Sequence, residues 1–362
     1  MKKLFFSSIL LFLVGTIAGQ SKLPDPEKLL TTAIREKACV GIAAGYTVDG
    51  KTVWTAAKGW KNKAEKIPFE MATTTRIASI AKPMTAIAIM QLYEAGKIDL
   101  DAPVQKYVLQ FPTKKEGEIT VRHLLQHASG IGAYQSKKEA NNKKAYPTLA
   151  DAAKVFQDRD LLAEPGTAFN YTSYGYVVLG LVIEGASGMT YEEYMQKNIW
   201  DKIGMTHTGI EKSGTAHPNQ SLSYHRNKKG KLKKAKPSNL SNRIPGGGFY
   251  SNVADLLKFG NAILDHTLVK ASTLEMMIAD AGLKKEGNGY GLGWYLYGEN
   301  PTLGKVIGHN GAQLGCSSFL FILPEQNITT VVISNTSGAL QEVSNIGIQL
   351  FHIAGTEQVK RD

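Results

Sequence analysis

Ser79 and Lys82 stand three residues apart in the stretch Thr74-Thr75-Arg76-Ile77-Ala78-Ser79-Ile80-Ala81-Lys82-Pro83, and side chains of these types at this spacing could do acyl-transfer chemistry. A serine hydroxyl is a weak nucleophile until a neighbouring base takes its proton, and a partly desolvated lysine can be that base. Residues i and i+3 share a helix face, so one helical turn carries the amine to the hydroxyl. Pro83 fixes where the helix begins, because proline lacks an N–H and is tolerated only in a first turn. Ser79 then lies at the helix start, where free backbone N–H groups favour developing negative charge. Apolar or small residues continue at helical spacing through Met84, Ile87, Ala88 and Leu92, with Gly96 at the position of a C-cap.

Two further clusters carry chemistry-bearing groups. Tyr171 and Ser173 sit two apart just before an apolar helical run and just after Glu164-Pro165-Gly166. A tyrosine facing a cationic lysine has a lowered pKa and could serve as a general base; a capping serine beside a packed tyrosine is the plainer alternative. Gly308-His309-Asn310-Gly311-Ala312 falls at a strand end, where paired glycines would let a substrate carbonyl approach main-chain N–H groups. His123 and His127 have the i, i+4 spacing of zinc ligands, but Leu124 stands where a zincin would have glutamate, so packing or capping is expected and no metal. No Gly-x-Ser-x-Gly elbow is present, which argues against an α/β-hydrolase.

The elements that must position these groups follow from local signals. Asp25-Pro26 opens a short helix to about Glu36. Residues 40–48 and 51–57 read as strands joined by the hairpin signal Asp49-Gly50. From Asp99 to about Ser241 strand signals nearly vanish, and helices are predicted over 121–128, 149–158, 174–186 and 191–199. Asn252 with Asp255 caps a helix ending near Leu264, with Pro245 to Phe249 as a tight turn feeding it. Strands return over roughly 290–298, 303–309, 316–323 and 328–334, and a closing helix occupies about 338–354. The expected fold is α+β: an antiparallel sheet flanked by helices, with an inserted all-helical lobe. The α/β lobe comprises about 21–98 and 242–362, and the helical lobe about 99–241.

Residues 1–20 read as a secretory signal, with Lys2-Lys3, an apolar run from Leu4 to Val14, and small residues near Ala18-Gly19. That run is too short to span a bilayer comfortably, so an exported periplasmic or secreted protein without stable membrane insertion is expected. The formal charge of +11 becomes +9 without Lys2 and Lys3; no arginine-rich stripe or nucleic-acid motif accompanies it, and no nucleic-acid partner is expected. Seven basic residues between Arg226 and Lys236 read as a solvated hairpin or loop tip. Cys39 and Cys316 allow one disulfide or two buried thiols.

Ser79-x-x-Lys82, Tyr171-x-Ser173 and His309-x-Gly311, in this order, resemble the serine β-lactamase-like superfamily, in its class C branch with D,D-carboxypeptidases, D-aminopeptidases and esterases. Supporting phrases are Glu94 to Pro103, Leu124 to Gly130, Glu164 to Gly166, Gly188 to Tyr194 and Gly246 to Gly260, and the likeness covers about residues 38–350. The resemblance implies one serine hydrolase domain over 21–362, working without a cofactor on a small-molecule or peptide substrate. It implies Ser79 as acyl-accepting nucleophile, Lys82 as its activator and Tyr171 as proton shuttle to the leaving group. Backbone N–H groups of Ser79 and Ala312 would form the oxyanion hole, with Ser173, His309 and Gly311 on the substrate. The expected reaction is hydrolysis of a small ester, peptide or D-amino-acid amide. A β-lactamase or D,D-carboxypeptidase acting on cell-wall peptides, and a non-catalytic penicillin sensor, are the alternatives.

Two positions depart from the family pattern. Most relatives have asparagine where this chain has Ser173, and many β-lactamases have lysine where it has His309. An unperturbed histidine is charged only about a quarter of the time at pH 7, so weak attraction for a substrate carboxylate at that position, and poor β-lactam turnover, are expected.

Overall fold

The computed structural model describes residues 23–284, 286–300 and 304–359, and the predicted leader lies outside them. The hairpin signal holds: β1 (Gly41–Val48) and β2 (Lys51–Asn62) pair antiparallel. Asp49 (φ 51°) and Gly50 (φ 71°) both lie in the left-handed region, as a two-residue turn matching the strand twist requires. With β3 (Ile67–Pro68), β4 (Gly289–Tyr290), β5 (Tyr295–Asn300), β6 (Gly304–Gln313), β7 (Cys316–Leu323) and β8 (Ile328–Ser334) they form one sheet, ordered β3-β2-β1-β8-β7-β6-β5-β4. The first and last parts of the chain therefore meet at the β1–β8 pairing, Ile42 opposite Ser334.

Alternate residues of the central strands face two separate cores, because side chains along a strand alternate sides. Leu320, Ile322, Val331 and Ile333 join one core, while Phe319, Phe321, Leu323 and Val332 join the other. The second core is closed by α1 (Pro26–Arg35), capped by Asp25, and by the C-terminal helix α6 (Leu340–Val359). The first is closed by α2 (Ala81–Glu94), α4 (Ser173–Ser187) and α5 (Val253–Leu264), with α3 (Val121–Leu125) beside α4. Helices α2 and α4 are apolar almost all round and buried through most of their length, which fits helices at the centre of a domain.

The regular structure of segment 99–241 is mostly short helices joined by long irregular stretches, and it also carries short strands at Gly209–Ile210, Tyr224–Arg226 and Leu232–Lys234, so the lobe is not all-helical. The last two make a hairpin of the basic run, and two or three residues are too few for an alternating pattern to be read. Cys39 and Cys316 are both free and buried, so the disulfide alternative does not apply. Among the described residues no helix is long and apolar enough to cross a membrane.

Helix α5 lies against the sheet at Gly260, where a Cβ would collide with the buried side chain of Thr329 on β8. Gly260→Ala gains about 1 kcal/mol of helix propensity but overpacks this contact, which typically costs about 1–3 kcal/mol. Denaturant unfolding of the variant is expected to show a net loss of stability. A net gain would mean that the helix–sheet contact is loose.

Candidate active site

Ser79 sits in a single 3-10 turn (Ala78–Ile80) that feeds directly into α2, with Lys82 in the first turn of the helix. The turn is entered through Ala78 at φ 48°, a left-handed conformation that non-glycine residues rarely adopt. Three contacts over-determine this conformation. Ile77 N–H donates to Phe249 O (3.1 Å), Ser318 Oγ donates to Ile77 O (2.7 Å), and Gly311 of β6 packs against Ile77 and Ala78. Strain held in this way is common at functional sites.

Lys82 is fully buried, at 0% exposure, and its Nζ lies 3.0 Å from Ser79 Oγ, 3.2 Å from Ser173 Oγ and 2.8 Å from Gly246 O. Burial holds the amine well below the ordinary lysine range, and the Arg243 charge pushes the same way. A neutral amine has two protons and one lone pair. Gly246 O can only accept, so it takes one proton; Ser173 Oγ can take the other. The lone pair is then left for the Ser79 O–H.

Tyr171 hydrogen-bonds Ser79, and its ring lies 4.7 Å from Lys82 Nζ. Its ionisation is pushed well above the ordinary tyrosine range, chiefly by burial and further by Tyr295, while the Ser79 bond opposes this. This corrects the expectation of a lowered tyrosine pKa: desolvation disfavours the phenolate and outweighs the neighbouring lysine.

Ser173 does not cap its helix; Thr172 does, accepting from Tyr174 N. The Ser173 hydroxyl instead accepts from Lys82. His309 is also held by the protein. It is fully buried, its Nδ1 is 2.6 Å from Asn310 O and its Nε2 is 3.4 Å from Tyr290 Oη. The carbonyl can only accept, so Nδ1 carries the proton and Nε2 receives the tyrosine hydroxyl. Burial, then the Lys82 charge, pushes the imidazole down to about 3, so it is neutral at pH 7 with no N–H free for a substrate. At Gly311 a Cβ would collide with Ser318 Oγ and Ile77 O, so the glycine lets β6 lie against the turn that carries Ser79. Ala312, next along β6, is exposed at the rim of the site beside that turn.

The zinc-like histidine spacing is not realised as a shared face, because α3 ends at Leu125. His123 takes part in a capping box with Thr120, and His127 lies beyond the helix end at φ 57°. His127 nevertheless belongs to the site. Its Nδ1 accepts from Thr172 N (3.2 Å), and its ring packs 4.3 Å from that of Tyr171. Tyr295 stacks on Tyr171 (6.2 Å) and meets His309 (4.9 Å), while Tyr290 packs on His127 and Tyr295 (4.8 Å each). This aromatic wall, the Gly246 carbonyl and the strain at Ala78 are the parts that sequence reading missed. Only the Gly246-Gly247-Gly248 run, with its close backbone approach to Ser173, left a local signal.

A family model described as Beta-lactamase matches residues 26–352. The chain is 31% identical over 388 aligned positions to "Serine beta-lactamase-like protein LACTB, mitochondrial" of Homo sapiens, covering 82% of this chain and 70% of that protein. It superposes on the octameric penicillin-binding protein homologue from Pyrococcus abyssi with a TM-score of 0.78 at 29% identity, covering 91% of this chain and 76% of the other. The fold likeness extends to a D-amino acid amidase from Ochrobactrum anthropi SV3, with a TM-score of 0.78 at 21% identity over 93% of this chain and 98% of that one. The chain belongs to the beta-lactamase family and has the fold shared by serine β-lactamases and penicillin-binding proteins.

Proposed function

We propose that the protein is an exported serine hydrolase that cleaves a small ester, peptide or D-amino-acid-containing amide through an acyl-serine intermediate. The observation that carries this reading is the buried Lys82 amine, 3.0 Å from Ser79 Oγ and held by Ser173 Oγ and Gly246 O. Lys82 takes the Ser79 proton as Oγ attacks the substrate carbonyl. The N–H groups of Ser79 and Ala312 receive the developing oxyanion. Tyr171 gives its hydroxyl proton to the leaving atom as the bond to the acyl carbon breaks, and the Lys82 ammonium replaces that proton. Water then attacks the acyl-serine ester with the proton transfers reversed. Family membership and the D-amino acid amidase fold likeness support the substrate classes named. The residue roles rest on the geometry and on the resemblance. Export is part of the proposal and rests on the Lys2–Gln20 stretch.

Intact-mass spectrometry after a fluorophosphonate probe is expected to show one adduct, absent in Ser79→Ala. An adduct that survives in that variant would overturn the assignment. Lys82→Ala and Tyr171→Phe are each expected to lower kcat by about 10²–10⁴. The double variant is expected to lose little more, since members of one proton-transfer unit are not additive; fully multiplicative losses would count against the unit.

The pH dependence follows from the direction of each shift. Protonation of Lys82 removes the base, so kcat/KM is expected to fall on acidification through a midpoint well below the ordinary lysine range. Because the Arg243 charge helps hold that amine down, Arg243→Met should move the acid limb to higher pH. Tyr171 ionises only well above its ordinary range, so no alkaline limb is expected below about pH 10. His309 is already neutral above about pH 3, and His309→Gln should leave the acid limb in place. A limb that disappears in His309→Gln would transfer the base role to the histidine.

A further inference from the structure

With His309 neutral and its N–H engaged, the position where many relatives carry a lysine offers no charge to an anionic substrate. Two other cations near the nucleophile are also committed. Lys82 spends its contacts on Ser79, Ser173 and Gly246, and the Arg243 guanidinium, 5% exposed, donates to the carbonyls of Glu139 and Ala140 and to Asn242 Oδ1.

Lys284 is different. It lies in the connection between the helix Ala271–Met277 and β4, and its Nζ stands 5.1 Å from the Tyr295 ring centroid and 5.6 Å from that of Phe169. Tyr295 belongs to the sheet wall of the site and Phe169 to the segment that leads into Tyr171, so the ammonium spans the two walls. Among the described residues no carboxylate lies within ion-pair distance of it, and Asp280 is felt only through space. The side chain is half-buried rather than free in solvent, and burial depresses its pKa while Asp280 opposes the change. Tyr295 also stacks on Tyr171, the group that hands a proton to the leaving atom in the proposed mechanism. The cation therefore rests on the ring that stacks on Tyr171.

We infer that Lys284 forms a subsite for a carboxylate carried on the leaving group, so that the preferred substrates release an anionic fragment such as an amino acid or hydroxy acid with a free carboxyl. The inference rests on the acyl-serine reading and deepens it by naming the charge of the departing half. It also replaces the expectation that the loss of lysine at position 309 disfavours carboxylate substrates. The cation is supplied from a different element.

The test compares two thioesters with one acyl group: one releases mercaptoacetate and the other its methyl ester. Wild-type protein should cleave the acid with the higher kcat/KM. Lys284→Gln should lower the acid by about tenfold to a hundredfold, the worth of a hydrogen bond to a charged group, and leave the neutral ester unchanged. Lys284→Arg should restore most of the preference, and added salt should erode it in wild type only. Equal loss on both substrates, or no loss on either, would overturn the subsite and leave Lys284 as a cation resting on two rings. If neither thioester is cleaved, the hydrolase reading fails by itself. In that case calorimetric titration of Ser79→Ala with N-acetyl-D-alanine against its methyl ester decides the subsite. Tighter binding of the acid that is lost on adding Lys284→Gln supports it, and equal binding of acid and ester overturns it.

Discussion

The site depends on a lysine amine kept out of water without a carboxylate to pair with it. Stripping an ammonium of its hydration costs several kcal/mol when no counter-charge replaces the water, so burial holds Lys82 well below the ordinary lysine range and shifts it toward the neutral amine. A carboxylate in the place of Ser173 or Gly246 would hold the proton on nitrogen and remove the base. The partners found, a hydroxyl and a carbonyl, orient the amine without charging it. Arg243, whose charge reaches Lys82, pushes the same way.

That requirement extends through the fold. Keeping water from Lys82 takes two apolar helices, α2 and α4, packed side by side, with the Ile244–Gly247 turn laid across them. Ser79 must still reach solvent, so the chain turns sharply at Ala78 and β6 presses its Gly311 against the turn from the sheet side. The sheet therefore does more than support the helices. Its β6 strand holds the strained entry to the nucleophile, and β6 is held in turn by β7 and β8, which join the two ends of the chain. Local strain at one residue is stabilised by long-range pairing.

Much of this was legible in the residues. The Asp49-Gly50 turn, the Asn252 cap and the Ser187-Gly188 helix end are short-range effects, and the structure shows each at the predicted place. Ser79 and Lys82 could be paired because helical spacing is itself a distance. What failed were inferences about charge. Tyr171 was assigned a lowered pKa from its lysine partner alone, whereas the larger effect is burial, by rings from distant segments such as His127 and Tyr295. No local spacing encodes that these residues converge. The same holds for the neighbours of Ser173 and Gly311, which are Lys82 and the turn that carries Ser79.

The departures from the family pattern also make sense together. A lysine at position 309 would place a second ammonium behind Tyr290, in the same dry wall that faces Lys82, and the two charges would oppose each other at short range. A neutral histidine, closed by Asn310 and Tyr290, adds no charge to the wall that faces Lys82. The Ser173 hydroxyl matches this arrangement, since it can accept a proton from a neutral amine at 3.2 Å without reaching further into the cleft. In the proposed mechanism this also limits how long the proton stays on Lys82. An ammonium formed there has no counter-ion and lies within reach of the Arg243 charge, so passing a proton through Tyr171 to the leaving atom is downhill in electrostatic energy. The burial that makes Lys82 a base at rest therefore also drives it to give the proton up once the acyl bond has formed.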